Sequence, residues 1–509
     1  MANRKIVGLE VLISLVKDLK QQGKKIVYAH GAFDLLHTGH IYHLEEAKKL
    51  GDILIVTITA DRVIQKGPGR PRFNQEERAG FVAALESVDF VAVSDTADCV
   101  KIINLLKPDI YAKGEDVKHK AVDPQSGLHQ EVQALKIYGG EIKFLKSLPI
   151  HSTELLNEFF SIYPAHVKDF LEEFRKRYSF EMISEALEQI KKLKVLVIGD
   201  AIIDVYQYVS VMSKSPKSNH ITTRGLNEEE FAGGVMACAN HLAGFCEKID
   251  LVTCLGSQNS KEEFIRANLS KNIQPQFFYR RDASTTLKKR FVESAYLTKM
   301  FETYDFNDTD LPPEIEKELC QYLESKINEY DMVLVADYGH GFLAEGIINL
   351  LCEKAKFLAL NVQTNSANYG FNLVTKYPKA DYICIDEAEI RLAVHERAAR
   401  LDNMIEKVSQ KMKTARISIT CGHHGCMTFS QTEGFSQIPV LSTKVMDTVG
   451  AGDAFFSVSS PWTVLGLPME LVGFIGNVAG AIKVSTLCNK SAVEAEQFKE
   501  FVSNLLTGR

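Results

Sequence analysis

Two histidines, His37 and His40, stand three residues apart where a helical pattern begins after a β-rich run. Residues at this spacing share one face of a helix, and the backbone N–H groups of the first turn and the positive end of the helix dipole lie at the same end. Imidazoles there can donate hydrogen bonds to a triphosphate and stabilise the charge that builds up as pyrophosphate leaves. The pattern indicates a nucleotide site, and a pair of surface or core histidines is the alternative interpretation.

A second group of residues, 447–453, reads Asp-Thr-Val-Gly-Ala-Gly-Asp. Gly450, Ala451 and Gly452 can present successive backbone N–H groups at a helix start, which makes an anion hole for a phosphoryl group in transfer. Asp453 is placed to take the proton of an attacking hydroxyl group. The segment therefore indicates phosphoryl transfer to an alcohol, with a structural glycine turn as the alternative.

Short apolar strands that alternate with helical patterns must position both groups of residues. Such strands are predicted at 25–28, 53–58, 90–93, 110–112, 141–145, 194–200, 332–337, 357–361, 382–386 and 417–420. Near-continuous apolar strands separated by helices predict parallel sheets covered on both faces, with ligands at the carboxyl ends of the strands. We therefore predict two α/β domains, residues 1–160 and 194–509, joined by an amphipathic helical linker at 161–193 that could equally be a dimerisation element.

Composition and charge narrow the function classes. The chain has 509 residues, 45% of them hydrophobic and 24% charged, as expected for folded domains with a large core. A net charge of −6 gives no global attraction to nucleic acid or to an anionic membrane, and no apolar run is long enough to span a bilayer. The ten cysteines lack the spacing of a metal site. We expect a cytoplasmic protein with free thiols.

The first group of residues lies in a longer match. Residues 31–40, Gly-Ala-Phe-Asp-Leu-Leu-His-Thr-Gly-His, resemble the signature of the cytidylyltransferase-like nucleotidyltransferases. The resemblance implies a Rossmann-like nucleotidyltransferase domain in which His37, His40 and Lys49 are catalytic. The nucleotide and phosphate contacts that it implies are Gly31, Ala32, Phe33, Asp34, Lys113, Ser152 and Thr153.

The second group of residues resembles the second signature of the ribokinase-like, PfkB-type sugar kinases, and residues 231–234 resemble the first signature. The resemblance implies a ribokinase-like α/β/α sandwich domain with Asp453 as the base. It implies Asp200, Asp204, Gly233 and Gly234 as sugar contacts, and Thr420, Gly422, Gly425, Gly450, Ala451 and Gly452 as nucleotide contacts. It also implies that Asp386 and Glu389 organise Mg²⁺ through water, and that the protein forms a homodimer.

Together the two halves resemble the bifunctional heptose 7-phosphate kinase and heptose 1-phosphate nucleotidyltransferase family of surface-polysaccharide synthesis, with the domain order reversed. The resemblance implies that ATP phosphorylates a sugar or sugar phosphate, and that CMP or AMP is transferred to a sugar 1-phosphate with release of pyrophosphate. Ala237, Asp386 and the run Asn361-Val362-Gln363 depart from the kinase pattern. A binding domain without turnover is therefore a second hypothesis, and a transferase for glycerol 3-phosphate or another polyol phosphate is a third. The sequence does not decide whether the transferase domain uses CTP or ATP.

Overall fold

The computed structural model of the chain describes residues 4–64, 70–96, 99–122, 126–146, 163–307 and 309–507. Two compact units divide the chain, one formed by residues 1–162 with 503–509 and the other by residues 163–502. Both contain a mainly parallel sheet with helices, so the predicted α/β class is confirmed. All ten cysteines are free thiols, as expected. Within the described ranges, no helix is both long and apolar enough to cross a membrane.

The first unit contains a parallel five-stranded sheet. Its strands are β1 (Ile26–Gly31), β2 (Ile53–Thr59), β3 (Phe90–Ser94), β4 (Ile110–Gly114) and β5 (Glu141–Leu145). Their order is β3-β2-β1-β4-β5. The helices are α1 (Leu9–Gln21), α2 (Thr38–Lys48), α3 (Gln75–Ala83), α4 (Cys99–Leu106) and α5 (Gly127–Ile137). Helices α2 and α3 pack on one face of the sheet and α1, α4 and α5 on the other, which is why the strands read as continuous apolar runs.

The strand order of the first unit fixes where a ligand can bind. The chain runs outward in one direction through β1, β2 and β3 and in the other through β4 and β5. Ligands of open α/β sheets bind at the carboxyl ends of the strands where the order reverses, which here lies between β1 and β4. The segment with His37 and His40 follows β1 directly, so the topology brings it to that position.

The second unit contains two sheets. Its strands are β6 (Lys194–Gly199), β7 (Ala201–Lys214), β8 (Ile221–Gly234), β9 (Lys248–Gln258), β10 (Ile273–Ser284), β11 (Thr286–Glu293), β12 (Thr298–Asp305), β13 (Met332–Asp337), β14 (Leu358–Val362), β15 (Tyr382–Asp386), β16 (Arg416–Thr420), β17 (Cys426–Ser430) and β18 (Gly434–Ile438). The main sheet has the order β10-β9-β6-β13-β14-β15-β16-β17-β18, and it is parallel as far as β16. The order β12-β11-β7-β8 forms a separate four-stranded sheet, which we call the side sheet. The sequence analysis did not predict the side sheet.

The described residues from 163 onward contain the following helices. They are α6 (Ala165–Arg177), α7 (Phe180–Ile190), α8 (Val235–Ala243), α9 (Glu262–Ala267), α10 (Pro313–Lys326), α11 (Glu345–Lys354), α12 (Glu387–Val394), α13 (Leu401–Met412), α14 (Ala451–Val464), α15 (Met469–Lys483) and α16 (Ala495–Thr507). A core shared by α10, α11, α12 and α13 covers one face of the sheet. Helices α8, α14 and α15 pack together and contact strands of the same sheet.

The predicted helical linker forms two helices, but they are part of the second unit, which begins at Tyr163. In α6 the ring of Phe174 stacks on Phe474 with 4.2 Å between centroids, and Arg177 forms a 2.5 Å ion pair with Glu470. The amphipathic stripe predicted for α6 therefore packs onto α15, and α7 contacts α14.

Candidate active sites

The structure brings His37 and His40 together at the start of α2. His37 is the N-cap residue, and its Nδ1 atom accepts a hydrogen bond from the backbone N–H of Gly39 at 3.1 Å. The two imidazole rings stack with 3.9 Å between centroids. An N-cap position at the end of β1 places both rings beside the N–H groups of the first helical turn, as the spacing predicted.

The turn between β1 and α2 is held by close packing. Phe33 has a φ of 49°, in the left-handed region, and is buried. A Cβ atom on Gly31 would lie 3.1 Å from the Phe33 ring, so a larger residue at this position would push the ring away. The Ala32 carbonyl accepts a hydrogen bond from the fully buried guanidinium of Arg78. The predicted contacts at Gly31, Ala32 and Phe33 therefore lie in a fixed turn directly before the two histidines.

Asp34 has a different environment from the expected nucleotide contact. Its carboxylate is buried and accepts hydrogen bonds from the Arg70 side chain and from the backbone N–H groups of Arg72, at 2.6 Å, and Phe73, at 3.3 Å. With these partners the carboxylate holds the segment 70–73 against the turn. Asp34 therefore positions the segment 70–73, and its contact with a nucleotide stays a prediction.

Lys49 does not lie with the two histidines. It follows the last residue of α2, its side chain is exposed, and its ammonium forms a 2.5 Å ion pair with Glu46. Lys49 is nine positions after His40, which corresponds to about 14 Å along a helix axis. The expected catalytic role for Lys49 therefore has no support in the geometry, because the residue stands at the opposite end of the helix.

Lys113 lies in β4, the strand beside β1, close to the carboxyl end of the sheet. Its ammonium is 3.7 Å from the carboxylate of Glu131 and 5.0 Å from the centroid of the Tyr111 ring. This position is compatible with the predicted phosphate contact. Ser152 and Thr153 lie outside the described residues.

Two residues of this site were not predicted as site residues. His30 is bound at both ring nitrogens, by the Thr57 hydroxyl at 2.7 Å and the Thr59 hydroxyl at 3.2 Å. Arg78 donates to the carbonyl oxygens of Ala32 and Thr59 and so links the end of β2 to the turn after β1. A buried arginine has no local sequence pattern, so only the tertiary structure identifies it.

In the second unit, the glycine-rich segment forms the predicted helix start. Gly450 is the N-cap residue of α14 with a φ of 80°, a conformation that favours glycine. The N–H of Ala451 donates to the Thr448 carbonyl, whereas no backbone acceptor for the N–H groups of Gly452 and Asp453 is found in the described ranges. A Cβ atom on Gly452 would meet nothing within 4 Å. Open N–H groups at a helix start with space above them suit an oxyanion.

Asp453 is buried and held at one oxygen. Its Oδ1 atom accepts two hydrogen bonds, from the Tyr338 hydroxyl and from the Gln363 amide, both at 2.8 Å. Burial raises the pKa of Asp453, and the two hydrogen bonds oppose the rise because they stabilise the ionised carboxylate. With Oδ1 fixed by two donors, Oδ2 is the oxygen able to accept a proton.

Gln363 is one of the residues that departs from the kinase pattern. It follows β14, ninety residues before Asp453 in the chain, and the strand order brings the two together. From the sequence, the run Asn361-Val362-Gln363 is a departure from the kinase pattern that favours a domain without turnover. The structure shows instead that Gln363 contacts the candidate base directly.

Asp200 and Asp204, the predicted sugar contacts, lie where β6 leads into β7. The Asp200 carboxylate accepts from the backbone N–H groups of Tyr338 at 2.8 Å and His340 at 3.4 Å. Burial, together with the nearby carboxylate of Asp337, raises the pKa of Asp200 to about 6. These contacts tie Asp200 to the loop after β13.

Asp204 lies in β7, a strand of the side sheet. Arg290 of β11 forms a 2.5 Å ion pair with its Oδ1 atom, and the Asn489 amide donates to Oδ2 at 3.3 Å. Gly233 and Gly234 explain how strand β8 comes so close to Asp200 and Asp204. A Cβ atom on Gly233 would lie 2.0 Å from the Asp204 carboxylate, and one on Gly234 would lie 2.5 Å from a backbone oxygen. The two glycines therefore let the backbone approach the aspartates, whereas the sequence analysis expected them to approach the sugar.

The predicted nucleotide loop lies at the end of β16. Thr420 is the last residue of that strand, and Gly422 begins the following turn with a φ of 55° and open space around it. Gly425 has a φ of 87°, and a Cβ atom there would lie 2.0 Å from the Ile438 carbonyl. Gly422 therefore has open space for a ligand, Thr420 is half-buried beside it, and packing against β18 accounts for Gly425.

Asp386 and Glu389, the predicted magnesium residues, form a capping box at the start of α12. Asp386 accepts from the Glu389 N–H at 2.7 Å, and Glu389 accepts from the N–H groups of Asp386 at 2.8 Å and Thr364 at 3.0 Å. Burial raises the pKa of Glu389 to about 8. Direct ligation by Glu389 would break two hydrogen bonds, so the pair fits Mg²⁺ only through bound water. No group of three metal-ligating side chains occurs in the part of the chain that the structure describes.

Comparison with known proteins also divides the chain into two parts, which correspond to the two units. The family model "pfkB family carbohydrate kinase" matches residues 192–493, and the model "Cytidylyltransferase-like" matches residues 28–158. The curated relatives match the N-terminal part of the chain. They include the bifunctional protein HldE of Methylobacillus flagellatus, 36% identical over 151 residues, which are 29% of this chain and 30% of that protein. HldE of Campylobacter jejuni subsp. doylei is 46% identical over 121 residues, 23% of this chain and 26% of that protein.

Solved structures match the second unit only distantly. Ribokinase from Thermotoga maritima has a TM-score of 0.49 and 19% identity, and the match covers 61% of this chain and 100% of the ribokinase. TM-scores below 0.5 support no conclusion by themselves, so the assignment rests on the family models. A cytidylyltransferase-like domain precedes a carbohydrate kinase domain that fills more than half of the sequence. This chain belongs to the pfkB family of carbohydrate kinases.

Proposed function

We propose that the chain is a bifunctional sugar-activating enzyme. The second unit transfers phosphate from ATP to a heptose-like sugar or sugar phosphate, and the first unit transfers CMP or AMP to a sugar 1-phosphate. The observation that supports the kinase step is the position of Asp453, a buried carboxylate with one oxygen fixed, in the first turn of α14 beside open backbone N–H groups. The stacked pair His37 and His40 supports the transferase step.

In the kinase step, a sugar hydroxyl oxygen attacks the γ-phosphorus of ATP, the bond from that phosphorus to the β,γ-bridging oxygen breaks, and ADP leaves. Asp453 Oδ2 accepts the hydroxyl proton, and the N–H groups of Gly452 and Asp453 stabilise the charge on the transferring group. Bound Mg²⁺ supplies neutralising charge on the ATP phosphates. The residues near Asp386 and Glu389 would hold it through water.

In the transferase step, a phosphate oxygen of the sugar 1-phosphate attacks the α-phosphorus of CTP or ATP. The bond from that phosphorus to the α,β-bridging oxygen breaks, and pyrophosphate leaves. His37 and His40, at the start of α2, donate hydrogen bonds to the triphosphate and stabilise the negative charge that grows on pyrophosphate. The reaction needs no reactant besides the sugar 1-phosphate and the nucleoside triphosphate.

The heptose assignment rests on resemblance. The matched relatives carry the name bifunctional protein HldE, but the match spans less than a third of their length. A glycerol 3-phosphate or other polyol phosphate is the alternative acceptor for the transferase. We further propose a cytoplasmic location and a homodimer. Size-exclusion chromatography with light scattering tests the homodimer, because it measures the mass of the particle in solution.

A catalytically silent kinase domain is the second candidate function. One observation favours it: Arg290 and Asn489 occupy both carboxylate oxygens of Asp204, the residue expected to bind sugar hydroxyls. Against it stands the hydrogen bond from Gln363 to Asp453, which keeps the candidate base oriented although the surrounding sequence departs from the family pattern.

The test is incubation of the purified chain with each of the four nucleoside triphosphates, Mg²⁺, and a panel of heptose and polyol phosphates. Pyrophosphate and ADP are measured separately. Both products, with ADP lost in Asp453→Ala and pyrophosphate lost in His40→Ala, support the bifunctional enzyme. Pyrophosphate without ADP across the whole panel supports the second candidate.

A further inference from the structure

One lysine in the second unit is buried without an acidic partner. Lys483 is the last residue of α15, and only 1% of its surface is exposed. Its ammonium donates to the Cys488 carbonyl and to the Thr486 hydroxyl at 3.3 Å. No carboxylate lies within ion-pair distance of it among the described residues. Burial of an ammonium costs free energy unless a nearby negative charge compensates it.

The lysine lies directly behind the anion hole. A Cβ atom on Gly450 would stand 3.1 Å from Lys483 Cε, so the lysine stem passes against the N-cap residue of α14. The segment that Lys483 holds is also joined to the glycine-rich loop, because the Cys488 N–H donates to Asp447 at 3.0 Å. Asn489 Oδ1 would stand 2.4 Å from the same Cβ atom, so Asn489 and Lys483 lie on the same side of Gly450.

The three carboxylates around Lys483 do not form ion pairs with its ammonium. Asp447 is already ion-paired with Lys299 at 2.6 Å, and Asp453 and Asp204 have the hydrogen-bond partners described above. Burial lowers the pKa of Lys483, and the fields of these three carboxylates oppose that shift. An exposed residue would lose most of such a field to water, whereas a buried one keeps it.

We propose that Lys483 is an internal cation of the anion hole, whose buried charge favours the γ-phosphate at the start of α14. It acts from behind Gly450 and does not touch the nucleotide, so it is a positioning residue. The inference rests on the proposed kinase function for the location of the γ-phosphate. The alternative role is purely structural: a lysine that ties the end of α15 to the next loop through a carbonyl oxygen.

The test compares the binding of two nucleotides that differ in the γ-phosphate. ADP and the non-hydrolysable analogue AMP-PNP are titrated calorimetrically with Mg²⁺ into the full chain, in a His37→Ala/His40→Ala background that weakens binding at the other nucleotide site. Lys483→Met keeps the length and removes the charge. Lys490→Met, at an exposed lysine on the same loop, is the matched control.

We expect Lys483→Met to weaken AMP-PNP binding about tenfold and ADP binding less than twofold, with both unchanged in Lys490→Met. Lys483→Gln, which keeps a donor for the Cys488 carbonyl, should give the same result and replaces the methionine variant if that variant unfolds. Equal weakening of both nucleotides, or unchanged binding of both in a folded Gln variant, overturns the inference. Failure of the background chain to bind AMP-PNP also overturns it. Absence of sugar phosphorylation would count against the proposed function only, because the binding assay needs no turnover.

Discussion

Replacement of Gln363 by methionine tests how the structure orients the candidate base. The substitution keeps the length of the side chain and removes the amide that donates to Asp453 Oδ1 at 2.8 Å. A hydrogen bond to a charged group contributes about 1.5–3 kcal/mol, and each 1.4 kcal/mol corresponds to a tenfold change in rate. Because Tyr338 remains as a second donor to the same oxygen, we expect the lower end of this range, a kcat reduced about tenfold.

The pH dependence should change in a defined direction. The hydrogen bond from Gln363 stabilises ionised Asp453 and so lowers its pKa against the effect of burial. Removal of the donor raises that pKa, and the base must be ionised to accept a proton. The acidic limb of the kcat/KM profile therefore moves to higher pH in Gln363→Met.

The assay is steady-state ADP release between pH 5 and pH 9 with the sugar acceptor found in the substrate panel. Gln437→Met, at an exposed position of β18, is the control for a glutamine-to-methionine change. A variant with unchanged kcat and an unchanged acidic limb would refute the reasoning. A rise in the KM for the acceptor alone would show that Gln363 binds substrate instead.

Three further predictions follow from the geometry. His37→Ala should reduce pyrophosphate release about 100-fold without affecting ADP release, since a donor to the leaving group is lost. Lys49→Ala should leave both rates within about twofold, because the residue lies about 14 Å along the helix from His40; a tenfold loss would contradict this placement. The pKa of Glu389, about 8 when folded against 4.5 for the unfolded side chain, means that the folded state binds an extra proton between those values. Unfolding free energy should therefore fall as pH rises from 5 to 8, by about 1.4 kcal/mol per pH unit at most, and Glu389→Gln should flatten this slope in denaturant titrations followed by Trp462 fluorescence.

The sequence predicts most of the main sheets because buried parallel strands read as unbroken apolar runs. Strands β2 and β13 are examples: nearly every residue in both is buried. The side sheet escapes prediction for the opposite reason. In β8, residues 227–230 are Asn-Glu-Glu-Glu, two of them exposed and two half-buried, and acidic residues and asparagine are uncommon in strands. This strand forms because its neighbour β7 pairs with it, which no local pattern records.

The residues of the candidate sites also fall into those that local sequence predicts and those that only the tertiary structure reveals. Residues whose role follows from local geometry, such as Gly450 at a helix start and His37 at an N-cap, could be predicted from spacing. Pairs far apart in the chain could not: Arg290 lies 86 residues from Asp204, and Gln363 lies 90 residues from Asp453. Their contacts depend on strand order. The motif match that names Lys49 gives a position in the chain and no distance to the rest of the site, and the structure adds that Lys49 lies at the far end of α2 from His37.

The central claim is that one chain holds two independent active sites. The most direct measurement follows ADP and pyrophosphate in parallel for the wild-type chain, Asp453→Ala and His40→Ala, with ATP, CTP, Mg²⁺ and the acceptor panel. The structure predicts that Asp453→Ala loses ADP release alone and that His40→Ala loses pyrophosphate release alone. ADP release that survives in Asp453→Ala, or pyrophosphate release that survives in His40→Ala, would contradict the account.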